Sequence, residues 1–152
     1  MSRASVTGVT LSTEQLAFAR LTIEPKLAEL AGARVTPALI ARLSGLDDQV
    51  NAAIRSGDIS AYLESNHAFH FALYEASEAA DLVDMARSLW LRFGPSPRGV
   101  AGLPGATSLA DNHAGAPAAM RAGDLAGVSE AMRNDIAQGV DQVRAALESG
   151  AV

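Results

Sequence analysis

Three junctions constrain this chain more than anything else in it: Thr36–Pro37, Gly57–Asp58 and Gly123–Asp124. Each combines residue types that end or begin an α-helix. Glycine closes a helix in a left-handed turn, threonine or aspartate accepts a first-turn amide, and proline fits the first helical position, where no amide hydrogen is needed. Between the junctions apolar residues recur every three or four positions, as in Ile40, Leu43, Leu46, Val50 and Ile54, which is the period of one helix face. The expected fold is all-α, an antiparallel bundle of about six helices.

The same punctuation places the remaining segments. Ser12, with Gln15 three residues on, reads as the N-cap of a first helix. Pro25 should kink or restart that helix, because it has no amide hydrogen for the carbonyl of Leu21; a further piece then runs from Pro25 to Ala33. Helices follow from Pro37 to Ser56, from Asp58 to about Ser77, from Asp81 to Phe93, from about Thr107 to Ala122, and from Asp124 to Glu148. Gly94 to Gly105 holds three prolines and four glycines, a long connection for a compact domain and a candidate lid or crossover. Residues 1–11 read as an N-terminal extension, 12–148 as one domain and 149–152 as a C-terminal tail.

Composition removes whole classes of function. The 152 residues contain 31 alanines and 17 leucines against 10 valines, 5 isoleucines and 7 aromatics, a balance that favours helix over a β-sandwich or barrel. The net charge is −5 and the 12 basic residues are scattered, so no direct contact with nucleic acid is expected. There is no cysteine, which eliminates disulfides, thiolate ligands and thiol nucleophiles and leaves His, carboxylate or amide groups for any metal. No signal-peptide pattern or membrane-length apolar run occurs, and the chain is expected in the cytoplasm.

Polar residues interrupt the apolar faces at a few places. On the helix that begins at Asp58, taking about 100° per residue, Tyr62, Phe69 and Leu73 fall within about 40° of one another. Asn66 and His70 lie on the adjoining arc, one turn apart, a spacing at which two side chains can share an ion or ligand. His67 sits on the flank. On the last helix Val128, Met132 and Ile136 form part of the buried stripe, and Asp135 projects about 20° beyond Val128 at its edge. His113 shares a face with Ala116, Pro117 and Met120, and Pro117 frees the His113 carbonyl for another partner. Taken singly each has an ordinary reading: a lone helical histidine is more often a core or surface residue than a ligand, Asn66 can bridge neighbouring helices, and Asp135 can be solvated. Periodicity does not bring the helices together.

The order Arg20-Leu-Thr-Ile-Glu24-Pro25, Leu27-Ala-Glu-Leu-Ala31, Gly57-Asp58, Asn66-His-Ala-Phe69-His70, Asn112-His113, Gly123-Asp124 and Ala131-Met132-Arg-Asn-Asp135-Ile136 resembles the C-terminal effector domain of GntR-type bacterial transcription regulators, the FCD domain. The resemblance runs from about Leu11 to Leu147. It implies a divalent metal held in the middle of the bundle by one aspartate and three histidines, with a small organic acid docked beside it. His70 and His113 match two of those histidines. Asn66 stands where the family has aspartate, and Asp135 where the last histidine is expected. The implied ligand set is therefore His70, His113, Asp135 and Asn66, able to hold Zn²⁺, Ni²⁺ or Mn²⁺ more weakly than the usual four, because a neutral amide is a poor ligand. Without an ion the same residues form a polar pocket. Arg20 matches the arginine of the first-helix motif and implies a bidentate clamp on a carboxylate; its alternative is a structural ion pair with Glu24, four residues on.

Regulators of this type carry a winged helix-turn-helix before the effector domain, and only about ten residues precede it in this sequence. The leading expectation is thus a module that senses a small carboxylate, with a homodimer as its assembly and DNA read by something else. One rival is a metal-dependent enzyme in which His70, His113 and Asp135 hold an ion with an open position and Glu24 or Asp111 serves as base. Another is a helical dimerisation domain with no ligand.

Overall fold

A computed structural model describes residues 2–93 and 113–150, with side chains from residue 13 onward except residue 146. Among the described residues there are six helices and no strand: α1 Ser2–Gly32, α2 Pro37–Ser56, α3 Ile59–Glu75, α4 Ala80–Arg92, α5 Gly115–Ala122 and α6 Leu125–Ser149.

The three junctions act as their chemistry requires. Thr36 Oγ1 accepts the Leu39 amide at 3.1 Å with Pro37 as the first helical residue. Asp58 accepts the Ala61 amide at 3.0 Å and Asp124 that of Gly127 at 2.9 Å. Gly57 and Gly123 adopt φ of 70° and 68°, a backbone region that costs a side-chain-bearing residue energy. In that conformation their amides return to the last carbonyls of α2 and α5. Because the linkers are so short, α2 folds back on α3 and α5 on α6 as two helical hairpins.

Two expected boundaries on α1 are wrong. The helix begins at Ser2, so Ser12 lies inside it and residues 2–11 continue the domain's first helix; no proline stands there to stop it, and a serine can occupy a helix interior as well as a cap. Nor does the helix restart at Pro25, which is buried within one continuous run. The carbonyl that Pro25 strands, that of Leu21, instead accepts Arg133 Nη1 from α6 at 3.3 Å. Supplying a replacement donor removes much of the reason for a break. Pro117 falls in the first turn of α5, and the Ala116 amide takes the His113 carbonyl at 3.1 Å. The candidate lid Gly94–Gly105, the expected helix start at Thr107 and Asp111 lie outside the described residues.

α1 packs against α3, α4 and α6, while α2 packs against α3 and α5. The larger apolar cluster joins Leu27, Ala28 and Ala31 of α1 to Leu43, Phe69, Leu73, Val83, Met120, Val128 and Met132. A smaller one joins Ala17 of α1 to Ile136 and Val140 of α6. Along α1, Arg20 and Glu24 fall between the residues of the two clusters, and along α6 Asp135 does the same. The polar residues thus form a stratum across the bundle with apolar packing on either side. Among the described residues no helix is long and apolar enough to cross a membrane.

Candidate functional site

From Phe69 to Tyr74 every residue of α3 is buried, so a polar side chain there must find its partners inside the protein. His70, which is 2% exposed, finds them on both ring nitrogens. Its Nε2 lies 2.9 Å from Asp135 Oδ2 on α6 and 3.3 Å from His113 Nε2, two residues before α5. His113 Nε2 is in turn 3.3 Å from the same carboxylate oxygen. Two imidazole nitrogens and one carboxylate oxygen, from three separate stretches of chain, make a nearly equilateral triangle.

That spacing fits a divalent ion. Donors bonded at about 2.0–2.1 Å in tetrahedral geometry stand about 3.3–3.4 Å apart, close to the two longer edges. The donor chemistry fits as well, with neutral imidazoles and one anionic oxygen. Burial, and secondarily the neighbouring His113, lowers the pKa of His70 and favours its neutral, ligating form, although Asp135 and Glu24 pull the other way. Burial works to raise Asp135, but the two imidazoles it touches, His113 and His70, outweigh it and hold that carboxyl far below the usual carboxylate range. Asp135 is therefore ionised at any pH near neutrality.

The outer nitrogens are also engaged. His70 Nδ1 lies 3.0 Å from the Tyr74 hydroxyl, which donates to Glu24 Oε2 at 2.5 Å. Since that hydroxyl hydrogen is committed to Glu24, Nδ1 is the donor to the phenolic oxygen and the lone pair is left on Nε2. Burial and the Glu24 charge raise the pKa of Tyr74 well above its ordinary value, which keeps the hydroxyl protonated. Glu24, wholly buried on α1, also accepts Arg20 Nε at 2.5 Å and Trp90 Nε1 at 3.1 Å. The Arg20 guanidinium lies 4.6 Å from the Trp90 ring and 4.8 Å from that of Phe93. On the other side, His113 Nδ1 faces Asp47 Oδ1 of α2 at 3.7 Å, and Phe69 lies against the His113 ring at 4.4 Å. Five of the six helices, and the residues leading into α5, contribute.

Of the residues singled out in the sequence, His70, His113 and Asp135 come together. Asn66 is half-buried one turn before His70, and the three donor atoms meet without it. Arg20 is buried and bidentate on Glu24, the ion-pair arrangement, and Glu24 in consequence has both oxygens occupied, which removes it as a base for an enzyme. His67 is exposed and stacks on Phe71 at 4.5 Å. Sequence reasoning missed Asp47, Tyr74 and Trp90. Asp47 did carry a signal, since it is four residues after Leu43 and three before Val50, on the apolar face of α2. Tyr74 is one turn after His70 on the same helix. Nothing local marked Trp90 as a partner of Glu24.

Comparison with known proteins agrees with this fold. Over 76 residues the chain is 32% identical to the HTH-type transcriptional regulator McbR of Escherichia coli strain K12, a match covering 50% of this chain and 34% of that protein. The chain thus spans about a third of that regulator's length. The solved structure of E. coli McbR/YncC superimposes with a TM-score of 0.80 over 86% of this chain and 63% of that one, at 24% identity, a likeness of fold. Residues 15–138 match the FCD domain family, a span that holds α2 to α5, the first half of α6 and every residue of the polar stratum, and the chain belongs to that family.

Proposed function

We propose that this chain is the effector-sensing part of a GntR-type transcription regulator, in which His70, His113 and Asp135 hold a divalent ion, Zn²⁺, Ni²⁺ or Mn²⁺, and a small carboxylate docks on it. The observation that carries the reading is the triangle of three donor atoms, two imidazole nitrogens and a carboxylate oxygen that meet at one point, with the outer nitrogen of His70 engaged by Tyr74. When bound, the ion supplies positive charge that a carboxylate can complete. The protein's own residues orient the donors, exclude water by packing Phe69 and Trp90 against the rings, and keep the Asp135 oxygen ionised. Because Arg20 is engaged by Glu24, recognition of the carboxylate falls to the ion rather than to the guanidinium. Regulation follows when one arrangement of the helices binds the effector better than another, and DNA is read by a partner or by sequence outside these residues.

Calorimetric titration of the metal-free protein with Zn²⁺, Ni²⁺ and Mn²⁺ tests the ion. Uptake of about one ion per chain, lost in His113→Ala, is expected; no uptake by the unaltered protein would overturn the site. A thermal-shift screen of organic acids tests the effector, which should raise the melting temperature only when the ion is present and be recovered unchanged. A homodimer in the cytoplasm completes the proposal. α1 and α4 leave Phe18 and Leu91 exposed at 74% and 86%, apolar area that a second copy would cover, and sedimentation of Leu91→Glu checks it by its shift toward monomer.

A further inference from the structure

α2 turns one face to the interior, where Leu43, Val50 and Ala53 are buried, and Asp47 occupies the same face at 8% exposure. A carboxylate on an apolar stripe loses hydration that must be offset from within. The imidazole opposite it is His113, whose Nδ1 lies 3.7 Å from Asp47 Oδ1. That separation is one of charge attraction rather than of a formed hydrogen bond.

His113 needs such a partner more than His70 does. His70 sits in the middle of α3, and Tyr74 on the next turn fixes which of its nitrogens carries hydrogen. His113 precedes α5, so no helical turn locks its ring. Phe69 packs on the ring at 4.4 Å and 32°, which holds its plane but does not distinguish Nδ1 from Nε2. On the Nε2 side the Asp135 carboxylate, 3.3 Å away, draws the ring hydrogen toward the point where the three donors meet. A negative charge on the Nδ1 side opposes this.

We infer that Asp47 is a positioning residue of the site: its charge holds the His113 hydrogen on Nδ1 and so leaves the Nε2 lone pair facing Asp135 and His70. Each imidazole would then be backed by a carboxylate from a helix that supplies no donor atom, Glu24 of α1 through Tyr74 and Asp47 of α2 directly. Partners of this kind set tautomer and ring orientation, and their loss typically weakens metal binding by about 10–100-fold. The consequence for affinity rests on the ion-binding reading above, whereas the consequence for the tautomer does not.

The test is Asp47→Asn, which keeps the shape and removes the charge, with Asp47→Leu as a second variant suited to the apolar stripe. Three quantities are read on each: Zn²⁺ affinity by calorimetry, the visible absorption of the Co²⁺-loaded protein, and the His113 tautomer in metal-free protein from imidazole ¹⁵N shifts at about pH 8, where histidine is neutral. We expect Zn²⁺ binding about 10–100-fold weaker, an altered Co²⁺ spectrum, and a shift of the His113 population from Nδ1–H toward Nε2–H. The metal-free melting temperature should fall little in Asp47→Leu, since an apolar side chain suits that face. A purely structural carboxylate would give the reverse, a lowered melting temperature with tautomer and affinity unchanged, and that would overturn the inference. If the unaltered protein takes up no ion, the ion-binding reading fails by itself and the tautomer decides: a shift toward Nε2–H upholds the role of Asp47, and an unchanged tautomer ends it.

Discussion

His70 divides the buried polar stratum into two unlike halves. On its Nδ1 side the groups are complementary: Arg20, Tyr74 and Trp90 all donate to Glu24, and His70 donates to Tyr74. On its Nε2 side the groups are alike, since His70, His113 and Asp135 each turn an electron-rich atom to a common point. A closed set of donors and acceptors satisfies itself and behaves as a joint between helices. A set of converging acceptors is satisfied only by a cation, whether a proton or a metal. The first half is therefore expected to matter most for stability and the second for binding, and the contrast can be broken by experiment.

The largest effect should come from Glu24→Ala. It leaves the 7% exposed Arg20 charge and the Tyr74 hydroxyl without their acceptor, and breaking a buried pair from one side costs about 3–5 kcal/mol. Urea denaturation of metal-free protein reads this directly. Asp135→Asn, in the triangle, where the Asp135 side chain is 16% exposed, should cost less in the same measurement, about 1–3 kcal/mol. If the order is reversed, the assignment of the two halves is wrong.

Next in size is the effect of the ion itself. At a free Zn²⁺ concentration of about 100 times the dissociation constant, the folded state should gain about 2.7 kcal/mol, and a chelator should remove the gain. Asp135→Asn should show almost none of it. A Zn²⁺-dependent gain that survives in Asp135→Asn would place the ion elsewhere.

Smaller again is the change expected from Asn66→Asp. The residue stands one turn before His70 and is half-buried, and a carboxylate there would add charge to the ligand set. Binding about tenfold tighter, or about 1.4 kcal/mol, would identify position 66 as the fourth donor. Unchanged affinity would mean that three protein donors complete the site, with the remaining position open to an effector.

How much of this was legible depended on how local the physics is. Gly57–Asp58 and Gly123–Asp124 could be read as caps because every participating atom lies within a few residues. The helical phases of His70 and Asp135 were equally readable, yet phase alone does not bring three helices together, and only the family resemblance grouped them. Pro25 misled for the complementary reason. Its missing amide is local, but the donor that compensates for it belongs to Arg133, 112 residues from Leu21. Asp47, beside Asp48, belongs to no motif, although its register with Leu43 and Val50 marked it as inward-facing. What stayed hidden was the partner that makes a buried carboxylate tolerable.

The same pairing of arginine with glutamate recurs on α1 in water, and it should give the smallest effect. Glu14 receives Arg144 Nε at 2.7 Å and Nη2 at 2.6 Å from α6, a bidentate geometry like that of Arg20 on Glu24, but both side chains are over 40% exposed. Hydrogen bonding from Arg144 lowers the Glu14 pKa below its ordinary value of 4.5. A depressed carboxyl stabilises the fold fully above the unfolded value and loses that contribution as the pH falls below 4.5 toward the folded value. The melting temperature of Glu14→Gln should thus lie slightly below that of the unaltered protein at about pH 6, with the gap closing under acid and also under about 1 M salt, which screens exposed charge. Glu24 is wholly buried, so the deficit in Glu24→Ala should persist in that salt. A Glu14→Gln gap that also withstands salt would show that exposure does not separate the two pairs.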